Sequence, residues 1–593
     1  MTSQDKNTPP PPTDGLERIG LQVMWDRLLS VVEEQALMLV RTGFSTSTRE
    51  AGDVSAGIFD VQGRMIAQAV TGTPGHVNSM ARAIRHFIDC FPVATMREGD
   101  TFITNDPWKG TGHLHDFTVL TPIFRAAKVV AMAASTCHVI DIGGRGMGPE
   151  GRTIFEEGLF VPIRYLTRGG EVDQTLMDLI HCNVREPEQV VGDVYSLMGC
   201  NTVAQQRFVQ MLDEFHLDDI EMLSEHIINT SRLAMLDAIR ALPPGRSHYE
   251  MYSDGYDLPI RIRATLSIET DGICVDFAGS SPPSRFGINV PFCYTEAYAS
   301  FGVKCMVAPR VPNNAGSLEV IRICAPEDSI LNAPYPLPVA TRHIIGQLLP
   351  DVVIGCLSQI LGPTAVPAEG TSCLWNLFAS GGAGMVDVAP AELANARTFN
   401  VMSFHSGGTG ARPGRDGLSA TAFPSGVRNV PVEITESMSP ILIHSKEYRT
   451  DSGGAGEFRG GLGQVMEVSS TEHSPFTLSA NFDRVLHPPR GRAGGMDGLA
   501  GRLVLGDSTP LRGKGRQVIP AGMHLTIKMP GGGGIGDPTR RCPERVAHDV
   551  RNGLVSPRCA VTLYGVMLDA NEQVDLDATY RHRNGMAKAG TRT

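Results

Sequence analysis

The segment NDPWKGTGHLHD, residues 105–116, with the FTVLTPIF (117–124) and KVVAMAASTCHVID (128–141) that follow it, decides how this chain reads. The two later runs are short, apolar and rich in Val, Ile, Phe and Thr, the residues that fit a pleated, half-buried surface, so both are expected to be strands. The first is a loop: Asn105-Asp106-Pro107 is turn chemistry and two glycines follow. Residues 99–141 therefore read as strand, loop, strand, strand. The loop carries His113 and Asp116 as an H-x-x-D unit, and His138 comes at the end of the last strand. Two imidazoles and one carboxylate from neighbouring strands would leave positions open on a divalent ion, as a catalytic metal site requires. Such an ion can polarise a carbonyl or acidify a bound water. His115 is a rival ligand, and turn or capping roles for these residues are the structural alternative.

Outward from this segment the pattern alternates between helix and strand. Residues 15–42 repeat apolar positions at helical spacing and predict a long amphipathic helix. Residues 53–70 predict a hairpin around Asp60–Gly63. Residues 76–90 and 185–239 return to the helical period. Pro243-Pro244-Gly245 breaks it, residues 246–326 are β-rich, and residues 341–362 are helical. From about residue 400 to the end the chain is Gly-rich and β-like, without a regular repeat. Its glycines are expected where the backbone turns sharply or approaches something closely. The fold class expected is α+β, in a large multi-domain chain with mixed sheets, helical segments and a Gly-rich β-like C-terminal part. The boundaries expected are a disordered arm at 1–14, an N-terminal α+β metal-site domain at 15–244, a middle α+β domain at 245–400 and a Gly-rich C-terminal domain at 401–593.

With 593 residues the chain is too long for one core. Its net charge of −11 is spread without a Lys/Arg cluster, which argues against nucleic acid or an anionic membrane as partner. No unbroken apolar run long enough for a membrane span is seen. The polar, Pro-rich start is not a secretory signal. The 12 cysteines form no CxxC pair, and reduced, mostly buried thiols in a cytoplasmic enzyme are expected.

The same residues carry a family resemblance. NDPWKGTGHLHD resembles the NDP-x-x-GG-T-H-L-x-D pattern of the hydantoinase B/oxoprolinase family. DVSAGIFDVQGRMIAQA (53–69), TPGHVNSM (73–80), CHVIDIGG (137–144), IFEEGLFVP (154–162), DSGGAGEFRGGLG (451–463), GGGGIGDP (531–538) and NGLVSPRCAVTLYGV (552–566) are similar to further family segments, in the same order. The family includes N-methylhydantoinase and 5-oxoprolinase B-type subunits, caprolactamase, and subunits of acetone and acetophenone carboxylases. The resemblance implies one divalent transition metal (Mn, Zn, Fe or Co) on His113, Asp116 and His138. It also implies an A-type ATPase partner, in a hetero-oligomer such as (AB)2, that binds ATP and Mg and phosphorylates the substrate's carbonyl oxygen. The activity implied is ATP-dependent opening of a cyclic amide: hydantoin, 5-oxoproline or a lactam. The alternative is an ATP-dependent ketone carboxylase.

Consistent with ATP chemistry residing on a partner, no G-x-x-x-x-G-K-[ST] motif occurs here, and PGGGGIGDP lacks its lysine. No nucleophile-elbow serine stands out. His76, Asp53 and Glu156 are the candidate catalytic residues: His76 and Asp53 as pocket-facing groups, Glu156 (or its neighbour Glu157) as a general base. Asp106 and Asp141 are candidates to orient a ligating histidine. Cys137, beside His138, is expected on the opposite face of the strand as a buried thiol.

Overall fold

The computed structural model describes residues 15–70, 73–370, 374–382, 385, 396–472, 474–506 and 508–590. The expected N-terminal arm lies outside them. The fold is α+β, with four sheets among the described residues.

The first sheet has seven strands: β1 (Val54–Phe59), β2 (Met65–Gln68), β3 (Thr101–Thr104), β4 (Asp116–Arg125), β5 (Lys128–His138), β6 (Arg164–Arg168) and β7 (Glu171–Val172). Their order is β2-β1-β5-β4-β3-β6-β7, and every pairing is antiparallel. The sheet is buried on both faces, and period-2 alternation sorts its residues between them. Ala131 and Ala133 of β5 join Leu28, Val32, Phe208 and Ile227 from the helices Gly15–Thr42, Pro187–Glu214 and Glu221–Arg240. Met132 and Ala134 join Met80, Ile84 and Phe87 of the helix Pro74–Cys90 on the other side. Each large apolar side chain buried this way contributes at most about 1.5–3 kcal/mol.

The β4–β5 connection is the shortest possible hairpin. Ala126 and Ala127 alone separate the strands, both left-handed at φ 48° and 63°. The geometry suits the sheet's twist, but it is one that Asn-Gly adopts at much lower cost. A bulge between Ile123 and Phe124 then shifts the pairing by one residue, and it is this shifted register that places Asp116, first residue of β4, directly opposite His138, last of β5. Side chains so paired share a face.

The second sheet pairs Gly245–Ser253, Ile260–Glu269, Gly272–Asp276 and Ile321–Cys324. Against it pack the helices Phe292–Val307 and Leu349–Leu361. The first of these helices was not expected from the sequence. The stretch His343–Leu361 is apolar and long enough for a membrane span by composition, and it is largely buried in this core.

Two further sheets face each other through Phe399, Val401, Phe476 and Leu478 on one side and Met466, Val468 and Ile527 on the other. The glycine clusters interlock beside them. A Cβ on Gly532 would lie 1.9 Å from the Thr409 carbonyl oxygen, and one on Gly460 would lie 1.9 Å from that of Gly532. Only bare backbone fits there. PGGGGIGDP is thus an internal packing element. The β-like reading of the C-terminus needs correction, because Pro543–Arg551, Pro557–Thr562 and Leu576–Gly590 are helices. The cysteine expectation also needs correction. Among the described cysteines only Cys137, Cys200, Cys293 and Cys356 are buried, and all those described are free thiols.

Candidate metal centre

Asp116 is the hub. Its side chain is fully buried, and five neighbours divide its two oxygens between them. Oδ1 faces His113 Nε2 at 2.8 Å and His138 Nδ1 at 2.9 Å. Oδ2 accepts from Thr111 Oγ1 at 2.7 Å and from Arg342 Nη2 at 2.5 Å, and it lies 3.0 Å from His76 Nε2. Burial alone would push this carboxyl up. His76 and Arg342 outweigh it and hold Asp116 ionised, well below the usual carboxylate range.

The His113 tautomer follows from its other nitrogen. Nδ1 lies 2.9 Å from the Ala340 carbonyl, which can only accept, so Nδ1 carries the proton. Burial, with Arg342 nearby, keeps the ring well below its usual pKa and therefore neutral. Nε2 then points a lone pair at Asp116 Oδ1. Two acceptors facing each other at 2.8 Å are held apart from their natural complement, a cation. A ligating histidine ordinarily donates its second N–H to a carbonyl in this way. Donor atoms of His113, Asp116 and His138 lie within 4.8 Å of one another, and two nitrogens with one carboxylate oxygen suit a divalent transition ion. The residues fit the metal.

The other candidates are placed as follows. His76, near the start of the helix Pro74–Cys90, sits between two carboxylates: Asp116 through Nε2 and Asp53 through Nδ1 at 3.5 Å. Burial opposes its protonation, but Asp116 and Asp53 raise its pKa above the ordinary value. Asp53 also accepts from Thr73 Oγ1 at 2.6 Å. His115 is buried and stacks on His138 at 5.5 Å, but neither of its nitrogens has a partner and it does not face Asp116 Oδ1. Burial and the adjacent His138 push it down to about 3.

Glu156 lies outside the cluster and pairs with Arg145 at the surface, 2.7 Å away. Its neighbour Glu157 is the buried one. Its Oε1 accepts from the N–H groups of Val339 and Ala340, at 2.7 and 2.9 Å, and so fixes the carbonyl that orients His113. Burial pushes this carboxyl up to about 8. Asp141 binds Arg185 rather than His138. Asp106 caps its own turn through Trp108 N–H. Cys137 packs in the apolar core with Leu39 and Val194, on the face away from His138.

Sequence reasoning missed Arg342 and His343. Arg342 also donates to the Thr111 carbonyl at 2.8 Å and lies 4.1 Å over the Tyr294 ring. His343 is buried at the pocket wall with Nε2 unpartnered, and burial plus Arg342 push it down to about 3. The only sequence signal was an Arg-His pair inside an apolar stretch. The pocket over the cluster draws His76, His113 and His138 from the N-terminal part, and Tyr294, Arg342 and Gln347 from the middle. Phe378, Met402 and Phe404 come from the paired strands Leu374–Gly381 and Phe399–Ser406.

The hydantoinase B/oxoprolinase family profile matches residues 17–538. The chain belongs to this family. A protein of Pseudomonas sp. (strain NS671), provisionally named as the B-type component of a D-/L-hydantoinase, is 28% identical over 594 residues, covering 95% of this chain and 97% of its own. The 5-oxoprolinase of Dictyostelium discoideum is 27% identical over 541 residues, which are 88% of this chain but 41% of that longer protein. The crystal structure of the ATP-dependent caprolactamase from Pseudomonas jessenii superposes with a TM-score of 0.84 at 26% identity, over 96% of this chain and 100% of that one. A nucleotide-free acetone carboxylase structure shares the fold, with a TM-score of 0.85 at 19% identity, over 97% of this chain and 84% of that one.

Proposed function

We propose that this chain is the metal-bearing B-type subunit of an ATP-dependent cyclic-amide hydrolase. In this reading a separate A-type ATPase subunit, using ATP and Mg, phosphorylates the carbonyl oxygen of a hydantoin, 5-oxoproline or lactam ring. This chain completes the ring opening within a hetero-oligomer. The observation that carries the reading is the buried Asp116 oxygen facing His113 and His138 at the base of a pocket. The names of the relatives supply the reaction class. His113, Asp116 and His138 would hold one divalent ion, which when bound polarises a carbonyl or acidifies water.

The chain's own residues do the rest. Arg342 occupies Asp116 Oδ2 and so turns Oδ1 towards the two imidazoles. Glu157 fixes the Ala340 carbonyl, which sets the His113 tautomer. His76, held between Asp53 and Asp116 with a raised pKa, is a proton store at the pocket wall. Phe378, Met402 and Phe404 exclude bulk water.

The test is elemental analysis and turnover. The purified chain is expected to contain about one divalent metal, drawn from Mn, Zn, Fe and Co, and the His113→Ala/Asp116→Ala double variant none. Equal metal content in both sinks the site assignment. With the A-type partner, ATP hydrolysis should be stimulated by cyclic amides. Stimulation only by a ketone with bicarbonate would place the protein in a carboxylase instead.

A further inference from the structure

We propose that His343 and Gln347 read a second polar edge of the ring held over Asp116. The site then selects a neutral cyclic ureide or imide, such as hydantoin, over a plain lactam or a ring bearing a carboxylate. The choice of ring rests on the function proposed above, but the binding preference belongs to the pocket and is measured without the partner subunit.

His343 opens the short helix His343–Gly346, directly after Arg342, and Gln347 caps it. The Gln347 N–H donates to the His343 carbonyl at 3.1 Å, so the two side chains lie one turn apart on one face, and both line the metal pocket. Gln347 is 3% exposed, yet its side-chain amide bonds to no described residue. His343 Nε2 is buried without a partner, and the ring, kept neutral by burial and Arg342, offers one donor and one acceptor. Ser425 Oγ, at the same pocket and also buried, is unpartnered too. Buried polar groups without partners are uncommon, and several around one cavity mark where a ligand's own donors and acceptors belong.

The ring chemistry follows by matching. Opening an amide ring engages one C=O and its adjoining nitrogen at the metal cluster. In a lactam such as 2-pyrrolidinone the other ring atoms are methylenes, which would leave His343 and Gln347 against hydrocarbon. In hydantoin the opposite edge carries a further C=O and a further N–H, the complements of a Gln amide and a neutral imidazole. A site built to hydrogen-bond such groups rejects the analogue that lacks them. The carboxylate of 5-oxoproline would need a cation. Of the basic side chains lining the pocket, Arg342 is committed to Asp116 and the Thr111 carbonyl, and His76 lies between Asp116 and Asp53. Phe378, Met402 and Val427 supply apolar contact for a flat neutral ring.

Calorimetric titration of the full-length chain with hydantoin, 2-pyrrolidinone and 5-oxoproline tests the inference, since all three are five-membered rings. Hydantoin is expected to bind about tenfold or more tighter than either of the others. The nearly isosteric Gln347→Met and the ring-for-ring His343→Phe should each weaken hydantoin by about threefold to tenfold and leave 2-pyrrolidinone unchanged. A purely structural role would weaken all three rings together. The second variant keeps the test decisive if the first fails to fold. Hydantoin binding no tighter than 2-pyrrolidinone, tighter binding of 5-oxoproline, no hydantoin binding at millimolar concentration, or a wild-type preference in the folded variants each overturns the proposal. In the complex with the A-type ATPase, the ratio of kcat/KM for hydantoin to that for 2-pyrrolidinone should fall in both variants. If the binding preference holds while no ring stimulates ATP hydrolysis, the recognition site stands and the proposed function fails.

Discussion

Replacing Arg342 by Gln removes the one permanent cation on Asp116. The pair is fully buried at 2.5 Å, and the same guanidinium donates to the Thr111 carbonyl and covers the Tyr294 ring. Removing one partner of such a pair costs about 3–5 kcal/mol, because the survivor is left charged in the interior. Asp116 keeps His76 as an alternative cation, which places the expected loss near the lower end, about 3 kcal/mol. For a unit the size of the N-terminal α+β part this corresponds to roughly 6–12 °C in melting temperature. The assay is thermal unfolding of chelator-treated wild type, R342Q and R342K. R342K keeps a charge but loses the planar fork and should fall between the other two. Added divalent metal should narrow the gap, since an ion on Asp116 replaces the missing charge. A chelated R342Q that melts within a degree of wild type would refute the view that Arg342 neutralises the hub.

Two further predictions concern positions that the chemistry does not touch directly. Glu157 has an ordinary pKa of 4.5 and is pushed up to about 8 in the fold. The folded state therefore keeps a proton that the unfolded chain releases, and stability falls as pH climbs between those values, by at most about 5 kcal/mol. Glu157→Gln should abolish that slope in denaturant midpoints against pH and be the more stable protein above about pH 8; a slope unchanged in the variant would contradict the assignment. Ala126-Ala127→Asn-Gly relieves two left-handed alanines and should raise the unfolding free energy by about 1–2 kcal/mol. Denaturant unfolding would show it, and no gain would mean that the turn is not under strain.

How far the sequence could be read depended on how local each determinant is. The strand–loop–strand–strand around His113, Asp116 and His138 was legible because one short run of chain contains both the pattern and its turn. So were the first helix, Gly15–Thr42, and the β1–β2 hairpin. The helix Phe292–Val307 was not, because it is buried on most sides and offers no polar stripe to set the period. The C-terminal helices were masked by the glycine-rich composition around them. Arg342 was illegible for a different reason. It reaches Asp116 across 226 residues of chain, and no spacing rule connects them. Glu156 and Glu157 were indistinguishable as adjacent acids, and only packing sends one to the surface and the other to the Ala340 backbone.

The bulge that shifts the β4–β5 pairing by one residue has a further consequence. Alternation along a strand means that slippage by a single position would send His138 to the side where Cys137 now packs, and would leave Asp116 opposite an apolar neighbour. A chain assembled with that error could still look folded by its overall secondary-structure content, yet it would have no cluster. Loading with a divalent ion therefore amounts to proofreading: it selects, from all compact arrangements of this sheet, those whose hairpin closed on the correct pair.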